Sequence, residues 1–281
     1  MAGTLQLPQP TWFIGCGNMG GAIVEGWRTG GLDLGPITVI RPSGRAVAGT
    51  RTIIDVAQAG AAPKLVVLAF KPQKLDEIAP ELRRHLSANS VIVSLLAGVE
   101  AASLRQRFPG AAVIVRAMPN LPVAVRRGVT GLYSPDADEP TQRMLNDLFS
   151  ALGFTMWMTD EARLAALGSV AGAGPAYVAR FVDALAKAGE ARGLSAEIAA
   201  IIARETVLGT VWMAAGTGEG MASVAGRVAS RNGTTEAGLA VLDGDSHVLD
   251  RLIAATIDAA ARRGAELATA ARQLEEPARL S

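Results

Sequence analysis

Trp12-Phe13-Ile14-Gly15-Cys16-Gly17-Asn18-Met19-Gly20-Gly21, followed by Ala22 to Gly30 with apolar residues at helical spacing, reads as a strand, a tight turn and a helix. Within it, Gly15, Gly17 and Gly20 form a Gly-x-Gly-x-x-Gly pattern enclosing Cys16, Asn18 and Met19. A lone match of this kind can be a turn in any protein of strands and helices. Here it opens the first strand-helix unit, the setting in which each glycine has a distinct task. The first permits the tight turn, the second lets the backbone approach a pyrophosphate, and the third lets helix and strand pack closely, with the phosphate at the helix N-terminus. The stretch therefore predicts a dinucleotide-binding turn that uses Gly15, Gly17, Asn18, Met19 and Gly20.

Outward from this turn, apolar runs at Ile37–Ile40, 65–70, 91–95, 113–116, 129–133 and 155–158 alternate with polar or helical stretches such as 76–86 and 101–108. That alternation predicts an α/β fold with a largely parallel, doubly wound sheet of the Rossmann type. After Asp160 the strand pattern stops, and Ala/Leu-rich helical patterns follow at 161–170, 176–192, 196–217 and 246–274, with polar residues after Gln273. The expected division is a dinucleotide-binding domain over 1–159 and an all-α domain over 160–281. Helices with so little polar face predict burial against another copy, hence a homodimer or an assembly of dimers; a dense monomeric bundle is the alternative.

The composition fits two ordinary domains: 281 residues, 49% hydrophobic and 19% charged, with aromatics at only 4%, so Ala, Val, Leu and Ile must fill the cores. Lys and Arg total 27 against 26 Asp and Glu, which leaves no broad field for nucleic acid or an anionic membrane and points to a small ligand. The single cysteine, Cys16, cannot form an intramolecular disulfide, and the N-terminus has no secretory pattern, so the cytoplasm is the expected compartment. The uninterrupted apolar runs are of strand length, short of the roughly 20 residues that span a bilayer, and no membrane segment is expected. Asp243 and Asp245, flanking Gly244, read as a loop and helix start, and no metal is implied. Cys16 reads as a small inert filler of the turn, and Trp27, Trp157 and Trp212 as packing residues.

The end of the second strand selects the cofactor, because an acidic residue there would bind an adenosine ribose diol whereas cations and hydroxyls suit a 2′-phosphate. The residues are Arg41-Pro42-Ser43-Gly44-Arg45, with no carboxylate. Arg41, Ser43 and Arg45 can all donate to phosphate oxygens, which predicts NADPH, with NADH as the poorer alternative. A solvated basic loop is the competing reading.

Four further motifs occur in a fixed order: Phe70-Lys71-Pro72-Gln73, Met118-Pro119-Asn120, Ala171-Gly172-Ala173-Gly174-Pro175-Ala176-Tyr177, and Ser230-Arg231-Asn232-Gly233-Thr234-Thr235 with Ala237-Gly238-Leu239. Together they resemble the pyrroline-5-carboxylate reductase family over residues 12 to 273. The resemblance implies reduction of the cyclic imine L-1-pyrroline-5-carboxylate to L-proline, a step of proline biosynthesis, by hydride transfer from NADPH. It further implies that the glycine turn holds the pyrophosphate and that Ala69, Lys71, Pro72 and Ala97 with Gly98 line the nucleotide. Met118, Pro119 and Asn120 would border the nicotinamide ribose and the substrate. Gly233, Thr234 and Thr235, supplied at the dimer interface in that family, would hold the substrate carboxylate through backbone N–H groups, with the Thr235 hydroxyl near the imine nitrogen.

Elementary chemistry agrees with this assignment. A glycine-containing turn before a helix presents unpaired N–H donors to a carboxylate. A protonated iminium is already electrophilic, so the protein has chiefly to align two reactants and exclude water. The helical half accordingly has one histidine, His247, and one lysine, Lys187, while His85 of the first domain reads as a helix-surface residue. Leu121, Ala173 and Arg231-Asn232 depart from the family's usual Thr, Ser and Pro-Gly. They keep open a reductase of a different cyclic imine and a non-catalytic NADP-binding dimeric scaffold. Arg180 reads as an exposed arginine rather than a substrate ligand. A β-hydroxyacid dehydrogenase needs a lysine four residues after a Gly-x-Gly turn, where this chain has Val178.

Overall fold

The four residues Thr11–Ile14 are buried on both faces, which is the environment of a central parallel strand covered by helices above and below. In the computed structural model, which describes residues 5–244 and 247–273, this strand, β1, lies inside an eight-stranded sheet. Asp245 and the polar stretch after Gln273 lie outside the described residues.

The chain continues through α1 (Asn18–Thr29), β2 (Ile37–Ile40), β3 (Arg51–Ile53), β4 (Leu65–Leu68), α2 (Leu75–Leu82), β5 (Val91–Ser94) and α3 (Ala101–Arg107). β6 (Val113–Pro119), β7 (Gly128–Tyr133), α4 (Glu139–Ser150), β8 (Gly153–Trp157) and α5 (Glu161–Leu167) follow. The strand order is β3-β2-β1-β4-β5-β6-β7-β8, and every pair is parallel except β6 with β7. This is the predicted doubly wound sheet. Its order reverses between β1 and β4, and in sheets of this kind ligands bind outside the carboxyl ends of the strands at that switch point.

Alternate residues of the strands feed two cores. Phe13, Val67 and Val93 pack with Ile23 and Trp27 of α1, and Trp12, Val66 and Ile92 with Leu82 of α2 and Phe108. Trp27 is fully buried and its indole Nε1–H donates to the Leu148 carbonyl at 2.8 Å, as a packing residue should. The segment 121–125, a 3₁₀ turn, presses onto α1 so closely that a Cβ on Gly26 would lie 2.2 Å from the Val123 carbonyl oxygen. β3 was not anticipated, because a three-residue edge strand with an exposed Arg51 carries almost no pattern.

By their contacts, residues up to Ala173 together with those from Ala260 form one compact unit and residues 174–259 another. The second unit holds α6 (Gly174–Glu190), α7 (Ala196–Thr217), α8 (Met221–Val228) and α9 (Thr234–Asp243), and α10 spans Val248–Gln273. α6 and α7 pack through Ala186, Ala199 and Ala203 with Val182 beside them. A Cβ on Gly189 would come within 3.2 Å of Leu194 Cδ1, so the hairpin between these helices is closely packed at that point.

Two features of this unit were not read from the sequence. α7 is 22 residues long with a mean hydropathy of 1.4 over its most apolar window, long and apolar enough to cross a membrane by length and composition, although only 11% of that window is buried in the single chain. The Arg204-Glu205 pair interrupts its apolar run, so a search for uninterrupted stretches passes over it. Trp212 is 62% exposed in the single chain, on the same helix as Val211 and Leu208, which are also exposed. Such a face is what a second copy would bury.

Candidate functional site

The three glycines of the turn sit in different environments. Gly15 has φ +77°, donates its N–H to the Ile40 carbonyl at 2.8 Å, and leaves no room for a Cβ, which would sit 2.7 Å from the Ala69 carbonyl oxygen. Gly20 packs α1 against the end of β4, its Cβ position 3.0 Å from Ala69 Cβ. Gly17 differs from both: no atom lies within 4 Å of its Cβ position, and the residue is exposed. The space beside it is open toward solvent at the N-terminus of α1, where Asn18 and Met19 begin the first turn. Gly17 is the N-cap with no side-chain cap, and no acidic residue occupies that turn, so the helix end is free to face an anion. Cys16 is buried beneath the turn; burial pushes its thiol pKa up, against a smaller lowering by the positive charge of Arg41.

The other nucleotide candidates emerge from the same edge of the sheet. At the end of β2, the Arg41 N–H donates to the Ile53 carbonyl at 3.0 Å, and the loop turns at Gly44, φ +59°. Ser43 and Arg45 are exposed and Arg41 half-buried, and neither guanidinium has an acidic partner among the described residues. Ala69 follows β4 and donates its N–H to the Ile14 carbonyl at 2.8 Å, so its part is to receive the two glycines. Lys71 is exposed ahead of the 3₁₀ turn Pro72–Lys74, and Ala97 is exposed beside Gly98, φ +76°.

Asn120 ends β6 and is buried. Its side-chain Nδ2 donates to the Ala171 carbonyl at 3.0 Å, and its Oδ1 accepts the Val129 N–H at 2.8 Å. The amide is thus engaged at both ends by backbone groups, and what the side chain holds in place is the π-helical turn Gly168–Gly172. Met118 packs beneath that turn, 3.3 Å from the Cβ position of Gly168. π-Turns interrupt helices mostly at functional places.

Gly233, Thr234 and Thr235 belong to the other unit, where Gly233 caps α9 and the two threonines open it. The turn before them is tightly made: the Gly233 N–H donates to the Ser230 carbonyl at 3.0 Å, and a Cβ on Gly233 would meet Ser230 Oγ at 2.3 Å. Glu236 reaches back to accept the Asn232 N–H at 2.5 Å. The first-turn amides of Thr234 and Thr235 find no acceptor among the described residues, leaving them to an anion. Arg180 and Lys187 are exposed and both pair with Asp183 at 2.9 Å, so neither is a free base.

Comparison with known proteins gives the geometry its setting. A family model described as pyrroline-5-carboxylate reductase dimerisation matches residues 161–267, and one described as NADP oxidoreductase coenzyme F420-dependent matches residues 12–98. A pyrroline-5-carboxylate reductase from Pseudomonas aeruginosa is 36% identical over 263 residues, which is 91% of this chain and 96% of the relative. The chain belongs to the pyrroline-5-carboxylate reductase family. The structure of a family member from Coxiella burnetii, 32% identical, matches with a TM-score of 0.84 over 93% of this chain and 99% of its own. A Plasmodium falciparum pyrroline carboxylate reductase solved with NADP bound, at 22% identity and a TM-score of 0.83, shares the fold.

Against the family pattern, the Arg231-Asn232 departure has a structural reading. Asn232 has φ +58°, the left-handed region in which glycine is favoured and asparagine is the best-tolerated substitute. The turn therefore survives the loss of the family's glycine. Leu121 is 54% exposed, so the hydroxyl it replaces is missing from a surface and not from a core. Sequence reading missed one buried pair, Arg116 with Glu161 at 3.0 Å. The signal was available: a cation inside the apolar strand Val113–Pro119 requires a carboxylate from elsewhere in the chain.

Proposed function

We propose that this protein is an NADP-dependent oxidoreductase that reduces the C=N bond of L-1-pyrroline-5-carboxylate to give L-proline, serving proline biosynthesis in the cytoplasm as a homodimer or an assembly of dimers. The observation that carries the cofactor half of the reading is the contrast within the glycine turn. Gly15 and Gly20 are crowded by protein, whereas the Gly17 Cβ position faces a space that no protein atom fills. A backbone held open at a helix N-terminus fits a pyrophosphate, and the carboxylate-free loop of Arg41, Ser43 and Arg45 fits a 2′-phosphate.

NADPH, when bound, supplies the hydride that reduces the imine carbon. The chain's own work is to hold and align. Asn18, Met19 and Gly20 present the helix end, Lys71, Pro72 and Ala97 border the nucleotide, and Asn120 fixes the loop that borders the nicotinamide ribose. The Thr234 and Thr235 amides hold the substrate carboxylate, and the Thr235 hydroxyl lies toward the imine nitrogen. No strong acid or base is needed, because a protonated iminium accepts hydride once it is aligned and water is excluded. The division of labour is a dinucleotide-binding domain over 1–159 and a dimerisation and substrate domain over 160–281, whose exposed apolar helices meet a second copy.

The test is the loss of nicotinamide absorbance when pyrroline-5-carboxylate is added to purified protein with NADPH, with NADH and a six-membered cyclic imine run in parallel. The expected result is fastest oxidation with NADPH and the five-membered ring. NADPH binding without oxidation by either imine would overturn the catalytic reading in favour of a scaffold, and faster reaction with the six-membered ring would reassign the substrate.

A further inference from the structure

We infer that Glu161 is a positioning residue for the cofactor site, acting as a strap that fixes two of its loops from behind the crevice; this rests on the proposal that the loop through Ala97 and Gly98 and the end of β6 border NADPH. One carboxylate oxygen, Oε1 of Glu161, accepts the Ala101 backbone N–H at 2.8 Å and the Arg116 guanidinium at 3.0 Å. Ala101 is the first residue of α3, directly downstream of the Ala97-Gly98 loop. Arg116 stands two residues before Met118 on β6, in register with Ser94 at the carboxyl end of β5. The two contacts join positions 60 and 45 residues apart in sequence.

Physical chemistry makes this strap directional. The Arg116 side chain is only 9% exposed, and a buried guanidinium requires a charged partner. The N-cap residue of α3, Glu100, makes no side-chain cap bond, and the Glu161 carboxylate caps the Ala101 N–H and adds negative charge at that N-terminus. Glu161 is itself held: it is the first residue of α5, whose N-cap Asp160 accepts the Arg163 N–H at 2.7 Å, and that bond holds the Asp160 carboxyl below its ordinary pKa. The strap therefore runs from a capped helix to the starts and ends of the elements that carry the two loops. Gly98, with φ +76°, lies between the exposed Ala97 and the Glu161-bound start of α3.

Three variants test this. Glu161→Gln keeps the shape and one acceptor oxygen but removes the charge. Glu161→Ala removes the strap outright, and because it leaves Arg116 unpaired, its failure to fold is anticipated by the double variant Glu161→Gln with Arg116→Met, which buries no lone charge. The measurements are NADPH affinity from nicotinamide fluorescence, kcat and KM for the imine, and amide hydrogen exchange of residues 95–101 without cofactor, all well below each melting temperature. The expected result is an NADPH Kd raised at least fivefold in Glu161→Gln and in the double variant, faster exchange over 95–101, unchanged exchange in β1 and β4, and an unaltered imine KM. A double variant that regains its melting temperature and also binds NADPH as the wild type does would overturn the inference, leaving the pair a stability element only. Wild-type protein that fails to bind NADPH would instead bring down the cofactor reading on which the inference stands.

Discussion

Replacing Gly17 by alanine separates folding from cofactor binding more cleanly than any other change in the glycine turn. The backbone at Gly17 has φ −80° and ψ −157°, a conformation open to any residue, and its added Cβ would meet nothing within 4 Å. The folded state therefore pays no strain, and the unfolded chain loses conformational freedom, so stability should stay level or rise by up to about 0.4–1 kcal/mol. Binding should behave oppositely, because the methyl group fills the space through which the backbone reaches the pyrophosphate. Loss of one charge-assisted hydrogen bond is worth about 1.5–3 kcal/mol, or on the order of 10- to 100-fold in NADPH affinity at about 1.4 kcal/mol per decade.

Gly15→Ala is the paired control with the reverse expectation for stability. Its Cβ would lie 2.7 Å from the Ala69 carbonyl oxygen at φ +77°. Left-handed strain of about 1–2 kcal/mol and overpacking of about 1–3 kcal/mol both apply to it. Thermal melting by circular dichroism and titration of NADPH by fluorescence, run on both proteins, measure the two effects independently. A Gly17→Ala protein that melts as the wild type does and binds NADPH equally well would refute the assignment of that open space to the cofactor.

Three other outcomes follow from named groups. Arg41→Asp exchanges a phosphate donor for a repelling charge, so NADPH affinity should fall roughly tenfold or more with NADH little affected; equal losses for the two cofactors, measured by parallel titrations, sink the 2′-phosphate assignment. Thr235→Val removes a hydroxyl at nearly constant volume and should keep NADPH binding while lowering kcat by about tenfold, and an unchanged steady-state rate removes Thr235 from the reacting groups. The Cys16 thiol is raised by burial, so at neutral pH it is protonated and shielded; iodoacetamide should label it slowly in native protein and rapidly in urea, and rapid native labelling would contradict its buried placement.

What was legible in the sequence was whatever depends on local pattern. Gly15, Gly17 and Gly20 announce their separate tasks because each is dictated by the backbone of a single turn. The strands β1, β2, β4 and β5 read as short apolar runs because they are buried on both faces. β3 escaped because an edge strand of three residues has neither burial nor periodicity to display. The 62% exposure of Trp212 in the single chain was not legible, because an aromatic residue among apolar neighbours signals burial without saying whose surface buries it. Arg116 within an apolar strand signals that some carboxylate must meet it, but which one, and what the Asn120 amide holds, lie beyond sequence reading, because the partners Glu161, Ala171 and Val129 come from distant stretches that only the folded sheet brings together.

The same division explains how the chain departs from its family at Leu121, Ala173 and Arg231-Asn232 and still keeps the geometry of its site. The anion-binding work assigned to this protein falls largely on backbone N–H groups, at the N-terminus of α1 and in the first turn of α9, and a backbone donor is preserved by any side chain its φ and ψ admit. At Gly15, with φ +77° and the Ala69 carbonyl beside it, glycine alone is admitted, and glycine is retained. At position 232 the angle is also positive, but the residue is exposed and asparagine suffices. At position 121 the side chain faces outward, and the residue that must not change is its buried neighbour Asn120, whose amide holds Val129 and Ala171 at once. At positions 121 and 232 the change falls on an exposed residue, and at position 15 the glycine that the backbone angle requires is kept. With the α9 turn proposed to hold the substrate carboxylate, Arg231 is the exposed residue beside it whose replacement by proline is expected to shift the preference between five- and six-membered imines, read as the ratio of their kcat/KM values.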